Sequence, residues 1–203
     1  MAGLYHEGHR ALQDAFDTRR LADRMEQAIV HATFTEADRA FIGRMPMFFL
    51  ATVDTQGRAN CSYNGGAPGF VRVVAPDTLA FPNYDGNGMY LSMGNLSQTH
   101  EVGLLFIDFE RRARMRVNGV ASIDLDDPLR EAYPEAQFVV RVRAREVFVN
   151  CPRYIHRMEF VEQSPFVPQE ACETPVPGWK TGAWVADVLP AHDPARDPKR
   201  EVL

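Results

Sequence analysis

The sequence has little of what would tie it together covalently or through a metal. Its three cysteines, Cys61, Cys151 and Cys172, form no CxxC pair. Neither a disulfide framework nor a thiolate zinc site is suggested, and reduced thiols are expected. The six histidines are scattered and no HExxH pair occurs, so the common zinc-hydrolase arrangement is missing. No apolar run reaches the roughly 20 residues that span a bilayer. The opening stretch MAGLYHEGHRALQDAFDTRR lacks the apolar core of a secretion signal, so the expected location is cytoplasmic. A basic surplus is absent too: the formal net charge is −5 and the pI about 5.7, which argues against a general nucleic-acid binder. Phosphate-binding fingerprints fail as well, because GNGMYLSMG does not have the GxGxxG spacing and no Walker lysine follows. Ser62 and Ser92 sit in no GxSxG elbow. Cys151 and His156 are close in sequence, but their spacing specifies no thiolate and base geometry.

What is present suits a globular chain. With 203 residues and 45% hydrophobic content, one domain with a real core is expected over 1–203. Within 1–45 the apolar residues recur at spacings of three and four, which predicts two N-terminal helices. The first carries Leu12, Phe16, Leu21, Met25 and Ile29. The second opens at Thr35, with Asp38 placed for a capping box and Phe41, Ile42 and Met45 as an apolar stripe.

From Pro46 the pattern changes to short strands, giving a core over 46–150. MFFLATVD, ANCSYN, FVRVVA and TLAFP read as antiparallel strands, and a short helix is expected near Met89 to Gln98. VGLLFIDF is almost wholly apolar and predicts a central strand buried on both faces. In RARMRVNGVASI and FVVRVRAREVFV arginines alternate with small or apolar residues, so each strand has an apolar face and an arginine face open to solvent. Over 151–203 the expectation is a short helix in PRYIHRMEFV, then an arm pinned by Trp179 and Trp184 and ending in a loose tail. Because regular βα alternation is missing, the fold class is mainly β with flanking helices, a small antiparallel barrel.

SYNGGAPGFVRV, residues 62–73, raises a question of its own. Asn64-Gly65 is a strong tight-turn signal, so the chain can simply reverse there. The glycines can instead clear side chains away so that a ligand lies against bare backbone, with Arg72 nearby to meet its charge. The residues alone leave both readings open.

Five segments taken in order, SYNGGAPGFVRV, AFPNYDGNGMYLSMGN, VGLLFIDF, RMRVNG and NCPRYIHRM, resemble the FMN-binding split-barrel family related to pyridoxamine 5'-phosphate oxidase. They are most similar to its branch of flavin-nucleotide-binding proteins. The resemblance spans about Phe41 to Met158. It implies a six-stranded antiparallel split β-barrel that forms a homodimer, with FMN in clefts at the subunit interface. By the same resemblance, the strand leaving the first glycine-rich turn meets the flavin through Ser62, Tyr63, Arg72 and Val73, with Arg72 near the phosphate. Phe81, Pro82, Asn87, Met89, Ser92 and Asn95 correspond to the next segment, where a helix start would attract the phosphate.

Two departures matter. Oxidase members carry an Arg-Lys pair at this helix, whereas this chain has Tyr90, Leu91 and Ser92, so Arg114 or Arg116 is expected to complete the anion grip, Arg116 being preferred. Oxidase members also carry an Arg-x-His motif and finish in Arg-Leu-Ala-Pro, but this chain finishes HDPARDPKREVL. The resemblance therefore implies an FMN-dependent oxidoreductase that does not oxidise pyridoxamine phosphate. The alternative is a non-catalytic module holding flavin or haem, for which His100 and His156 are the available histidines of the barrel region.

Overall fold

The computed structural model describes residues 3–170 and 172–203. Helices α1 (Glu7–Ala15), α2 (Arg19–Ile29) and α3 (Glu36–Gly43) precede the strands. The N-terminal region thus holds three helices, not two. Asp17, with φ of 52° in the left-handed region, breaks the long apolar repeat into a hairpin. Neither α1 nor α2 contains a buried residue, whereas Phe41 and Ile42 of α3 and the following Met45 are core. The Thr35 capping box forms as expected: its hydroxyl accepts from the Asp38 N–H at 3.2 Å, and the Asp38 carboxylate accepts from the Thr35 N–H at 2.8 Å.

Seven strands follow where six were expected: β1 (Met47–Val53), β2 (Ala59–Gly65), β3 (Arg72–Ala75), β4 (Thr78–Asn83), β5 (Glu101–Asp108), β6 (Ala113–Asp124) and β7 (Phe138–Val149). Helix α4 (Leu91–Thr99) lies between β4 and β5. The strands form one antiparallel sheet in the order β2-β1-β5-β6-β7-β4-β3. Strands β2 and β3 remain the two edges of this split barrel. Inside, Phe48 meets Phe70, Phe81 and Phe106 at ring separations of 5.8, 4.9 and 5.3 Å. At the centre of the sheet Gly119 is required by close approach, since a Cβ there would lie 2.2 Å from the Arg143 carbonyl oxygen. The β6 to β7 register shifts beside it, between Asn118 and Gly119.

Several local expectations are corrected. Asn64-Gly65 is not a tight turn; both residues are paired strand, with Gly65 opposite Met47. The reversal comes later, at Gly69, which has φ of 90°. Gly66 is needed for packing, because a Cβ there would lie 2.5 Å from the Phe70 ring. Strand β5 is buried on one face only: Val102, Leu104 and Phe106 are core, while Leu105 and Ile107 on the other face are half-buried. The arginine face of β6 is not open to solvent either, as Arg114 and Arg116 are half-buried.

The C-terminal region differs most. PRYIHRMEFV is irregular chain, not a helix; only a turn bond from the Ile155 N–H to the Pro152 carbonyl forms. The tail is not loose, because Val202 pairs with Val176 and the Gly178 N–H donates to the Leu203 carbonyl at 2.7 Å. Nor do the tryptophans pin the arm: Trp184 is 74% exposed. The buried anchor is Lys180 between them, whose ammonium donates to Asp193 at 2.8 Å and to Asp85 at 2.5 Å. Burial favours the neutral amine, but these two carboxylates outweigh it and raise the Lys180 pKa.

Candidate functional site

The site is built where the barrel is split. On β2 every second residue, Asn60, Ser62 and Asn64, is polar and faces the start of α4. The Ser62 and Ser92 hydroxyl oxygens are 2.9 Å apart, and the Asn60 amide donates to Ser92 at 2.9 Å. The Asn64 amide in turn donates to Ser62 at 3.3 Å. Ser92 is the second residue of α4, and no side chain caps this helix: its N-cap, Tyr90, is left-handed with φ of 48°. The first-turn N–H groups have no partners in the preceding turn, so the helix start is a ready acceptor of negative charge.

This cluster lines a cavity of about 330 Å³, closed on its other side by the loop after β4. A larger cavity of about 1160 Å³ adjoins it. Tyr63 and Asn64 from β2, with Asn83 and Tyr84 from the end of β4, line both. The two spaces therefore meet across the open edge of the barrel. Burial raises the Tyr84 phenol pKa, so at neutral pH it is a neutral aromatic wall.

Of the residues picked out from the sequence, Ser62, Tyr63, Asn87, Met89 and Ser92 come together in the smaller cavity. Pro82 lines the larger one. The others lie elsewhere. Phe81 is a fully buried core side chain, and Val73 packs against the same core. The Asn95 amide donates to the Thr52 hydroxyl at 3.1 Å. Arg72 lines neither cavity; its guanidinium lies 4.5 Å from the centre of the Tyr133 ring and donates to the Ala132 carbonyl at 3.1 Å. Burial pushes the Tyr133 phenol up to about 12. Arg116 lies on the outward face of β6 and donates to the Asn150 side chain. Burial first, then the neighbouring Arg114 charge, lowers its pKa. The Arg114 Nε is buried without a partner among the described residues.

Sequence reasoning passed over Asn60, Asn64, Asn83 and Tyr84. The period-two alternation of ANCSYNG was the signal for the first two, since it puts both asparagines on the face of Ser62. Among the described residues no group of three or more potential metal ligands occurs, and no helix is long and apolar enough to cross a membrane.

The family model for pyridoxamine 5'-phosphate oxidase matches residues 34–165, the barrel with α3 and α4. The chain belongs to the pyridoxamine 5'-phosphate oxidase family. No curated protein sequence matches it. Similar solved structures include HupZ of Group A Streptococcus, with 18% identity over 57% of this chain and 93% of that one and a TM-score of 0.47. Another is a Lactobacillus delbrueckii protein provisionally identified as a pyridoxamine 5'-phosphate oxidase, with 24% identity over 58% and 95% of the two chains and a TM-score of 0.47. A third is an FMN-binding protein from Syntrophomonas wolfei, with 13% identity over 69% and 97% and a TM-score of 0.43. Gly65, Gly66 and Pro68 line the larger cavity, and the uncapped start of α4 lines the smaller one.

Proposed function

We propose that the protein binds FMN at the start of α4 and uses it in oxidoreduction as a homodimer. The observation that carries this reading is an uncapped helix start facing the Ser62, Ser92 and Asn60 side chains inside one cavity. A terminal phosphate fits this donor set, because N–H groups and hydroxyls satisfy its oxygens while the helix dipole favours its charge. Tyr63, Asn64, Asn83 and Tyr84 supply aromatic faces and amides for the flavin ring. When bound, FMN supplies the hydride and electron chemistry, so no catalytic side chain is named. The missing Arg-Lys pair in α4 and the absent Arg-x-His motif support a substrate other than pyridoxamine phosphate.

The homodimer rests on the outward sheet face. Phe49, Leu105 and Ile107 form a half-buried apolar strip there, next to Arg114, whose Nε has no partner among the described residues. A second copy would cover the exposed part of this apolar strip. Sedimentation giving a stable monomer at micromolar concentration contradicts this part of the reading. A cytoplasmic setting suits the three exposed cysteines, which stay reduced there. Neither His100 nor His156 lines either cavity, so a haem held there would take no ligand from the histidines of the barrel region.

Titration with FMN and with riboflavin tests the phosphate assignment. FMN is expected to bind at least about tenfold more tightly, since charge-assisted contacts are each worth about 1.5 to 3 kcal/mol. Equal affinities would remove the phosphate from the start of α4.

A further inference from the structure

The larger cavity exceeds what the flavin reading needs, and its lining has a chemistry of its own. Its far wall is the irregular segment 158–167. Two bonds hold that segment against the barrel: the Met158 N–H donates to the Phe109 carbonyl at 3.3 Å, and the Phe160 N–H donates to the Glu110 carboxylate at 3.2 Å. Although the backbone is tied, Phe160 remains 56% exposed and Phe166 39%. Phe109 and Tyr84 line the same space from the barrel side. Aromatic surface thus stands on two sides of this cleft.

The charges around the cleft are unbalanced. Five carboxylates line it, Asp85, Asp108, Glu110, Glu159 and Glu162, against two guanidinium groups, Arg44 and Arg111. Arg44 pairs with Asp108 at 3.4 Å and stacks over the Phe41 ring, while Asp85 is held by Lys180. The remainder is Glu110, Glu159 and Glu162 facing Arg111 alone, although Glu159 also meets Arg157 at 3.4 Å. A cation placed here gains from the acidic rim and from cation–π attraction to the aromatic faces, whereas an anion of the same shape is repelled by the first and has only stacking from the second.

We propose that this cleft binds the flavin's reaction partner, and that the partner is a planar aromatic cation. As a site for that partner it rests on the flavin reading; as a cation-selective aromatic cleft it stands on its own lining. The full-length, FMN-loaded protein is titrated by calorimetry with 10-methylacridinium and with acridine-9-carboxylate, which share size and shape but differ in charge. The acridinium is expected to bind about tenfold more tightly, and added salt should narrow the ratio. Glu110→Gln with Glu162→Gln should remove most of the preference while leaving flavin occupancy, read from visible absorbance, unchanged. Phe160→Ala with Phe166→Ala should weaken both probes. Equal binding of the two probes, or a ratio untouched by the glutamate pair, overturns the proposal. The two readings fail separately: protein that carries no flavin yet still prefers acridinium contradicts the FMN assignment and keeps the cleft, and flavin-loaded protein without the preference does the reverse.

Discussion

The hydroxyl oxygens of Ser62 and Ser92 lie 2.9 Å apart, joining the edge strand β2 to the second residue of α4. This contact holds a helix start at the split of the barrel, with Asn60 donating to Ser92 from the same strand face. Ordering side chains around an uncapped helix end has a cost that a bound anion offsets.

Ser92→Asp should therefore separate binding from folding. A carboxylate in the first turn of a helix is favourable to the helix by about 0.3 to 1 kcal/mol. Against a bound phosphate it is repulsive by a few kcal/mol at an effective dielectric of about 20. The expected outcome is unchanged thermal stability, FMN affinity lower by about a hundredfold, and riboflavin affinity little altered. Fluorescence titration of both ligands checks it, and an unchanged FMN affinity removes this segment from the site.

Arg72→Ala is expected to have a smaller effect. The side chain is exposed, and its clearest contact is with the Tyr133 ring at 4.5 Å, an interaction worth about 0.5 to 1 kcal/mol at exposed positions. FMN affinity should fall by less than in Ser92→Asp. A loss as large would mean that the guanidinium swings from Tyr133 to the phosphate when ligand binds.

Much of this architecture is legible in the sequence, and the exceptions have definite causes. Strand patterning finds β1 to β7, although β2 keeps polar residues on its inner face and β4 is apolar on both faces, and the Thr35 box is local, so its geometry follows from spacing alone. Asn64-Gly65 misleads because its pairing with β1 outweighs a turn preference. The N-terminal repeat hides its break because Asp17 carries no strong stop signal. PRYIHRMEFV lacks a helix because its backbone is held by Phe109 and Glu110, contacts from about 50 residues away in sequence that no window detects. Site placement depends on which strand ends meet across the split. Spacing cannot show that, so the sequence does not distinguish Asn83 and Tyr84, which line the cavities, from Phe81, which is core.

The arm gives a test of the Lys180 anchor. Lys180 and Asp193 side chains are each 4% exposed, and removing one member of a buried pair typically costs about 3 to 5 kcal/mol. Lys180→Met should destabilise by about that amount, and Lys180→Met combined with Asp193→Leu by less, because no charge is then left buried alone. Urea unfolding of the single and double variants measures the difference. A double variant no more stable than the single would show that packing, not the charge pair, holds the arm.

Acid should weaken the fold through three carboxylates. Asp38 and Asp193 are disfavoured as anions by burial, but the hydrogen bonds of Thr35 and His31 to the first, and of Lys180 to the second, outweigh it and lower their pKa values below 3.8. Asp127 is lowered chiefly by its hydrogen bonds from Arg141. A depressed folded pKa gives stability that is complete above the unfolded value and is lost as pH falls through the folded one. Stability should hold from neutrality to about pH 4 as far as these groups decide, then fall. Replacing Asp38 by Asn should flatten that fall, measured by urea unfolding at stepped pH; an equally steep profile contradicts the contribution of Asp38.

FMN at the split of this barrel is the reading on which the proposed function depends. The most direct measurement is the visible absorption spectrum of the purified full-length protein, after loading with FMN and removal of free ligand, followed by mass analysis of what acid releases. The expected result is a flavin spectrum with a released mass matching FMN, and its loss in Ser92→Asp. A colourless protein after loading, or one that retains riboflavin as well as FMN, contradicts it.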